Sequence, residues 1–140
     1  MYTNILHATD LKENHFRTCE QAADIASRFG ATLHLLHVIE PPASLQLAQG
    51  LGFAELATPV KDDAKTVMNV LGDALNIPVE RQHVEVGSVK LIILSKVREL
   101  DCDLIIIGSH APNHLPAFLG STANAIVHHA TCDVLTLRTK

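Results

Sequence analysis

The sequence predicts an α/β protein built on a doubly wound, five-stranded parallel sheet with helices on both faces. Apolar segments of strand length alternate with segments of helical periodicity along the chain, in the order β-α-β-α-β-α-β-α-β. Leu104–Ile107 (LIII) is apolar throughout, as a strand buried on both faces must be. By contrast, Val79–Val86 (VERQHVEV) and Val134–Leu137 (VLTL, then Arg138) carry polar side chains that suit the edges of a sheet. A strand order of 3-2-1-4-5 satisfies these polarities with right-handed crossovers.

The elements follow from local pattern. Asn4–Thr9 (NILHAT) reads as a strand stopping at Asp10, and Phe16, Cys19, Ala22, Ala23 and Ala26 recur at helical spacing up to a stop at Gly30. Thr32–Ile39 (TLHLLHVI) is the second strand, closed by Glu40-Pro41-Pro42. Pro41 to Val60 has weak periodicity and is long for a plain connection, the profile of a lid or mobile loop. Ala64, Val67, Met68, Leu71, Ala74 and Leu75 mark a second helix. Val89, Ile92, Ile93, Val97 and Leu100 mark a third, and Ala123, Ile126, Val127 and Ala130 a last one.

Composition bounds the function. A chain of 140 residues that is 47% hydrophobic is long enough to bury a core and reads as one domain, residues 1–140. A formal net charge of −4 with scattered lysines and arginines argues against nucleic acid or anionic membrane as a partner. Cys19, Cys102 and Cys132 form no CxxC and leave an odd thiol, which suits a reducing cytoplasm. Charged residues arrive by Asp10, Lys12 and Glu13, before any apolar run of signal-peptide length, and no segment approaches the ~20 apolar residues of a membrane span.

In a 3-2-1-4-5 sheet the winding reverses between strands 1 and 4, and ligands bind outside the carboxyl ends of the strands at that point. The residues expected there are Thr9 and Asp10 from one side and Gly108, Ser109 and His110 from the other. The latter open the stretch GSHAPNHLPAFLGST, residues 108–122, which lies where a phosphate-cradling loop would join a strand to a helix. It is poorly furnished for that task. Ala111 carries a Cβ and precedes a proline, and Pro112 and Pro116 have no N–H to offer. What remains is the N-terminus of the last helix, where the N–H groups near Ser121, Thr122 and Ala123 can hold an anion. Two readings stand for the loop: a phosphate site, or a structural connection in which Ser121 serves as a helix cap. Asp10 likewise has two: a ligand to ribose, an adenine amino group or magnesium, or an acid that starts a turn or caps the first helix.

With these segments identified, the chain resembles the universal stress protein family along its length. The resemblance rests on NILHATD, on LHLLHVIEPP, on VGSVKLIILSKVRELDCDLIIIGSH and most closely on LGSTANAIVHHATCDVLTLR. It implies a cytoplasmic stress-response protein with a Rossmann-like, adenine nucleotide alpha hydrolase-like fold. It also implies a homodimer formed through the last strand, here Val134, Leu135, Thr136 and Leu137. One branch of the family binds ATP; another does not and lacks the glycine pattern. Carried onto this sequence, the ATP pattern places Asp10 at the acidic end of strand 1, Gly108 at the first glycine, Gly120 and Ser121 at the closing pair and Thr122 after them. The backbone around Val38 falls where the family touches the base. Ala111 stands where the second glycine would be, and the run onward to Gly120 is one residue short.

Other chemistries lack their residues. Among the nine histidines, His110 and His114 are separated by Pro112, His128 and His129 are adjacent, and His34 and His37 fall on opposite faces of a strand, so no zinc spacing emerges. There is no G-x-S-x-G elbow and no P-loop lysine, so no catalytic residue is assigned. The resemblance implies as the expected function a stress-response protein holding ATP, or a related adenine nucleotide with magnesium, between strands 1 and 4. The alternatives are a nucleotide-free dimeric member acting through protein contacts, and a slow nucleotide hydrolase.

Overall fold

Period-two alternation decides which side of the sheet each strand residue serves. Ile5, Leu33, Leu35, Leu104 and Ile106 pack in one apolar cluster, and their neighbours Leu6, Leu36, Ile105 and Ile107 in another on the opposite face. Six of these, Ile5, Leu6, Leu35, Leu36, Ile105 and Ile106, are completely buried, which marks the strands that carry them as central. Each such side chain contributes about 1.5–3 kcal/mol relative to exposure. The computed structural model describes residues 1–11, 16–41, 53–109 and 121–138.

The elements are β1 (Asn4–Ala8), α1 (Phe16–Phe29), β2 (Thr32–Ile39), α2 (Phe53–Leu75), a short 3-10 turn (Val79–Arg81), β3 (Gln82–Val86), α3 (Val89–Glu99), β4 (Leu104–Ser109), α4 (Ser121–His129) and β5 (Asp133–Arg138). They form one parallel sheet of order β3-β2-β1-β4-β5. Cys19, Ala22 and Ala26 of α1 and Met68 and Leu71 of α2 cover one face. Ile93 and Val97 of α3 and Ala123 and Ile126 of α4 cover the other. No helix among the described residues is long and apolar enough to cross a membrane.

Helix ends are set by single residues in the left-handed region. Gly30 (φ 65), Asn76 (φ 58) and Asp101 (φ 52) each follow a helix. In each case the next residue's N–H reaches back five positions: Ala31 to Ala26, Ile77 to Gly72 and Cys102 to Val97, at 2.9, 2.8 and 2.9 Å. This is the Schellman stop, for which glycine, asparagine and aspartate are the tolerant residues.

The fold departs from the sequence reading in several places: β1 ends at Ala8 rather than Thr9, and β5 extends by one residue at each end, to Asp133 and Arg138. The third strand is shorter than Val79–Val86, because Val79–Arg81 form a 3-10 turn first. The weakly periodic stretch Pro41–Val60 is not wholly a connection: α2 already begins at Phe53, while 42–52 lie outside the described residues. The fourth strand runs past its apolar core, so Gly108 and Ser109 belong to β4 and pair with Leu137 and Arg138 of β5 rather than opening a loop.

Candidate functional site

At the carboxyl ends of β1, β2 and β4 the sheet opens into a cleft of about 250 Å³. It lies at the switch point between β1 and β4. Ala8, Leu36, Val38 and Ile107 of the strands, Val89 and Ile93 of α3 and Ala123 of α4 make its apolar walls. Thr9, Asp10, His37 and Thr122 bring polar atoms to it, and Gly108 adds a stretch without a side chain. Val89 is the first residue of α3, and Thr122 and Ala123 lie in the first turn of α4, so two helices present their N-terminal ends here. Ser88 caps α3 by accepting the Leu91 N–H at 3.4 Å. The remaining N–H groups and both macrodipoles favour an anion at this end of the sheet.

The floor of the cleft is a polar knot. Thr9 is 6% exposed. Its N–H donates to Leu36 O at 2.8 Å, its carbonyl oxygen accepts from His37 Nδ1 at 2.8 Å, and its Oγ1 accepts the Leu11 N–H at 3.1 Å. Behind Thr9, Cys19 Sγ lies 3.5 Å from Thr9 Oγ1 and 3.4 Å from Nε2 of the fully buried His7. His7 Nδ1 sits 2.9 Å from Ile106 O. A carbonyl oxygen only accepts, so Nδ1 of His7 carries a proton, and Nε2 faces the Cys19 sulfur. Burial, with the Asp10 carboxylate adding to it, pushes the Cys19 thiol up against the opposing effect of Thr9, and the sulfur stays protonated. Leu11 closes the corner at φ 62. That conformation costs a Cβ-bearing residue about 1–2 kcal/mol, and the bond from its N–H to Thr9 Oγ1 helps to hold it there.

The sequence expected Thr9, Asp10, Val38, Gly108, Ser109, His110, Gly120, Ser121 and Thr122 at the site. The structure brings Thr9, Asp10, Val38, Gly108 and Thr122 to one cleft. Ser109 ends β4 and Ser121 begins α4, next to the cleft residues Gly108 and Thr122. His110 and Gly120 lie outside the described residues. Sequence reasoning missed His37 and the wall formed by Val89 and Ile93. The LHV pattern of β2 was visible, but nothing local shows that its histidine turns to the β1 corner.

The model of the family described as the universal stress protein family matches residues 1–138. The chain is 37% identical to universal stress protein A homolog 2 of Coxiella burnetii over 141 aligned positions, covering 99% of this chain and 97% of that protein. Among solved structures it is similar to universal stress protein UspA from Lactobacillus plantarum, with 24% identity, a TM-score of 0.68 and 98% of both chains covered. A universal stress protein in complex with cAMP matches at 17% identity and a TM-score of 0.68, covering 99% of this chain and 98% of that one. At those identities the two structures bear on the fold alone, but the family match and the bacterial relative extend over nearly the whole chain. The chain belongs to the universal stress protein family.

Proposed function

We propose that the cleft holds an adenine nucleotide and that the protein acts as a nucleotide-binding member of its family. The observation that carries this reading is the convergence of apolar walls with Thr9, Asp10 and Thr122 at the β1/β4 switch point, beneath two helix N-termini. A volume of about 250 Å³ lies just below the ~300 Å³ where small-ligand sites begin. It suits a base and ribose better than a whole triphosphate. Val38, Val89 and Ile93 would flank the base and Asp10 would meet the ribose or the accompanying magnesium. The phosphates would lie toward Thr122 and the N-terminus of α4, beside Ser121.

Thermal melting with and without about 1 mM Mg·ATP tests this, with AMP and inorganic phosphate alongside. At a Kd of ~10 μM the native state gains about 2.7 kcal/mol, a rise of several degrees. Asp10→Ala and Ser121→Ala should each reduce the rise. No shift at millimolar ATP would end the reading.

A second reading, action through protein contacts, is supported by β5. Among the described residues this strand pairs with β4 on one side only, and Val134, Leu135 and Leu137 are only half-buried there. A second copy pairing along Val134–Leu137 would cover them. Light scattering at micromolar concentration should then give a dimer, which Leu135→Lys would dissociate; a monomer in the unmodified protein would remove this interface.

A further inference from the structure

The corner carrying Asp10 is fixed by its neighbours. Three groups of Thr9 are engaged: its N–H by Leu36 O, its carbonyl by His37 Nδ1 and its Oγ1 by the Leu11 N–H. Leu11, one residue beyond Asp10, sits at φ 62, a conformation leucine does not choose for itself. Asp10 is therefore held between two residues whose backbones are pinned, at the mouth of the cleft. Strained residues of this kind persist where the surrounding bonds over-determine them, and they gather at ligand sites. The sheet ladder and the threonine-based turn are common devices. The bond from His37 is different in kind: a side chain of β2 reaches across to the last carbonyl before the acid, and His37 is itself among the residues lining the cleft.

We propose that His37 is the positioning residue of this cleft. Its Nδ1–H bond to the Thr9 carbonyl fixes the Thr9–Asp10–Leu11 corner and so presents Asp10 to the ligand. The identity of that ligand rests on the nucleotide reading above; the control of the corner does not. The bond demands the Nδ1–H tautomer, because the carbonyl can only accept. An asparagine at this position could supply an equivalent donor, and a leucine could not.

Long-range ¹H–¹⁵N correlation on the unmodified, labelled protein reads the tautomer directly. Amide hydrogen exchange at Leu11 and Mg·ATP titration are then compared in wild type, His37→Leu and His37→Asn. The expected result is a proton on His37 Nδ1 and Leu11 exchange about tenfold faster in His37→Leu, with exchange in β4 and β5 unchanged. His37→Asn should return Leu11 exchange to near wild type, and the affinity for Mg·ATP should fall and recover in parallel. A proton on Nε2 with Nδ1 bare would overturn the proposal without any variant. So would Leu11 exchange indifferent to His37→Leu, or a His37→Asn variant as loose as His37→Leu. If the exchange pattern holds while wild type takes no ATP, the positioning role is supported and the nucleotide reading falls.

Discussion

The seam between β1 and β4 carries an aspartate at each end, and the two are set in opposite ways. At the N-terminal end, Asp103 accepts the Thr3 N–H at 2.9 Å, the Asn4 N–H at 3.1 Å and the Thr3 hydroxyl at 3.1 Å. Burial works to raise its pKa, but the combined donors outweigh that and hold the carboxyl below its ordinary 3.8. Next to it Tyr2 donates to Asp133 at 2.7 Å, which raises the phenol. At the C-terminal end the pinning falls on the residues around the acid: Thr9 and Leu11 are bonded while Asp10 borders a cleft. One aspartate closes the sheet by gathering backbone donors to itself. The other borders a cleft between neighbours that are themselves bonded. The same topological break thus has a sealed end at Asp103 and an open one at the cleft.

The strongest way to disturb both ends together is through the middle they share. Ile106→Ala, at a fully buried position of β4, should cost about 3 kcal/mol in urea unfolding. Next in size, Asp103→Ala should cost about 1 kcal/mol at neutral pH and leave any ATP-dependent melting shift intact, separating the sealed end from the open one. Because the folded pKa of Asp103 is depressed, that cost should be full above pH 3.8 and vanish as pH falls below it. A difference that persists in strong acid would count against the carboxylate as the agent. Smaller is the effect of the half-buried pair His34 and His83, whose ring nitrogens meet at 3.2 Å. Burial lowers both, His83 and Arg81 adding to the effect on His34 and Lys96 to that on His83, with Glu85 and Glu99 opposing at His83. The unfolded chain then binds more protons, so stability should decline as pH falls below 6.5, and a His34→Gln, His83→Gln double variant should flatten the decline. Arg28→Ala, which removes an exposed i,i+4 pair with Asp24, should change stability by less than about 0.5 kcal/mol.

Strand order and the position of the cleft were legible because they depend on which strands are apolar throughout and on where the winding reverses. β2 was read at its observed limits, Thr32–Ile39, since apolar alternation and the following prolines are both local signals. The apolar run ends at Ile107, so side-chain pattern alone assigns Gly108 and Ser109 to a loop. Ladder bonds to Leu137 and Arg138 extend the strand, and backbone pairing leaves no mark in the side chains. Gly30 announced its helix stop, whereas Asn76 and Asp101 did the same work unread, their role depending on a backbone angle. The bonds of His37 to Thr9, of His7 to Ile106 and of His34 to His83 join residues 28, 99 and 49 positions apart. Such contacts are products of the fold, and no spacing within one element foretells them.

The left-handed helix stops also decide where this chain tolerates insertion. Gly30 and Ala31 alone separate α1 from β2, and both are bonded back to α1. One added residue there would either break the stop or slide β2 by one place. A slide would carry Leu33 and Leu35 to the face now served by His34 and Leu36, reversing every side chain of a central strand. On the cleft side, residues 40–52 separate β2 from α2, and an addition among them changes no ladder register. Length variation is therefore tolerated better after the carboxyl end of β2 than between α1 and β2, because it leaves the sheet as it was.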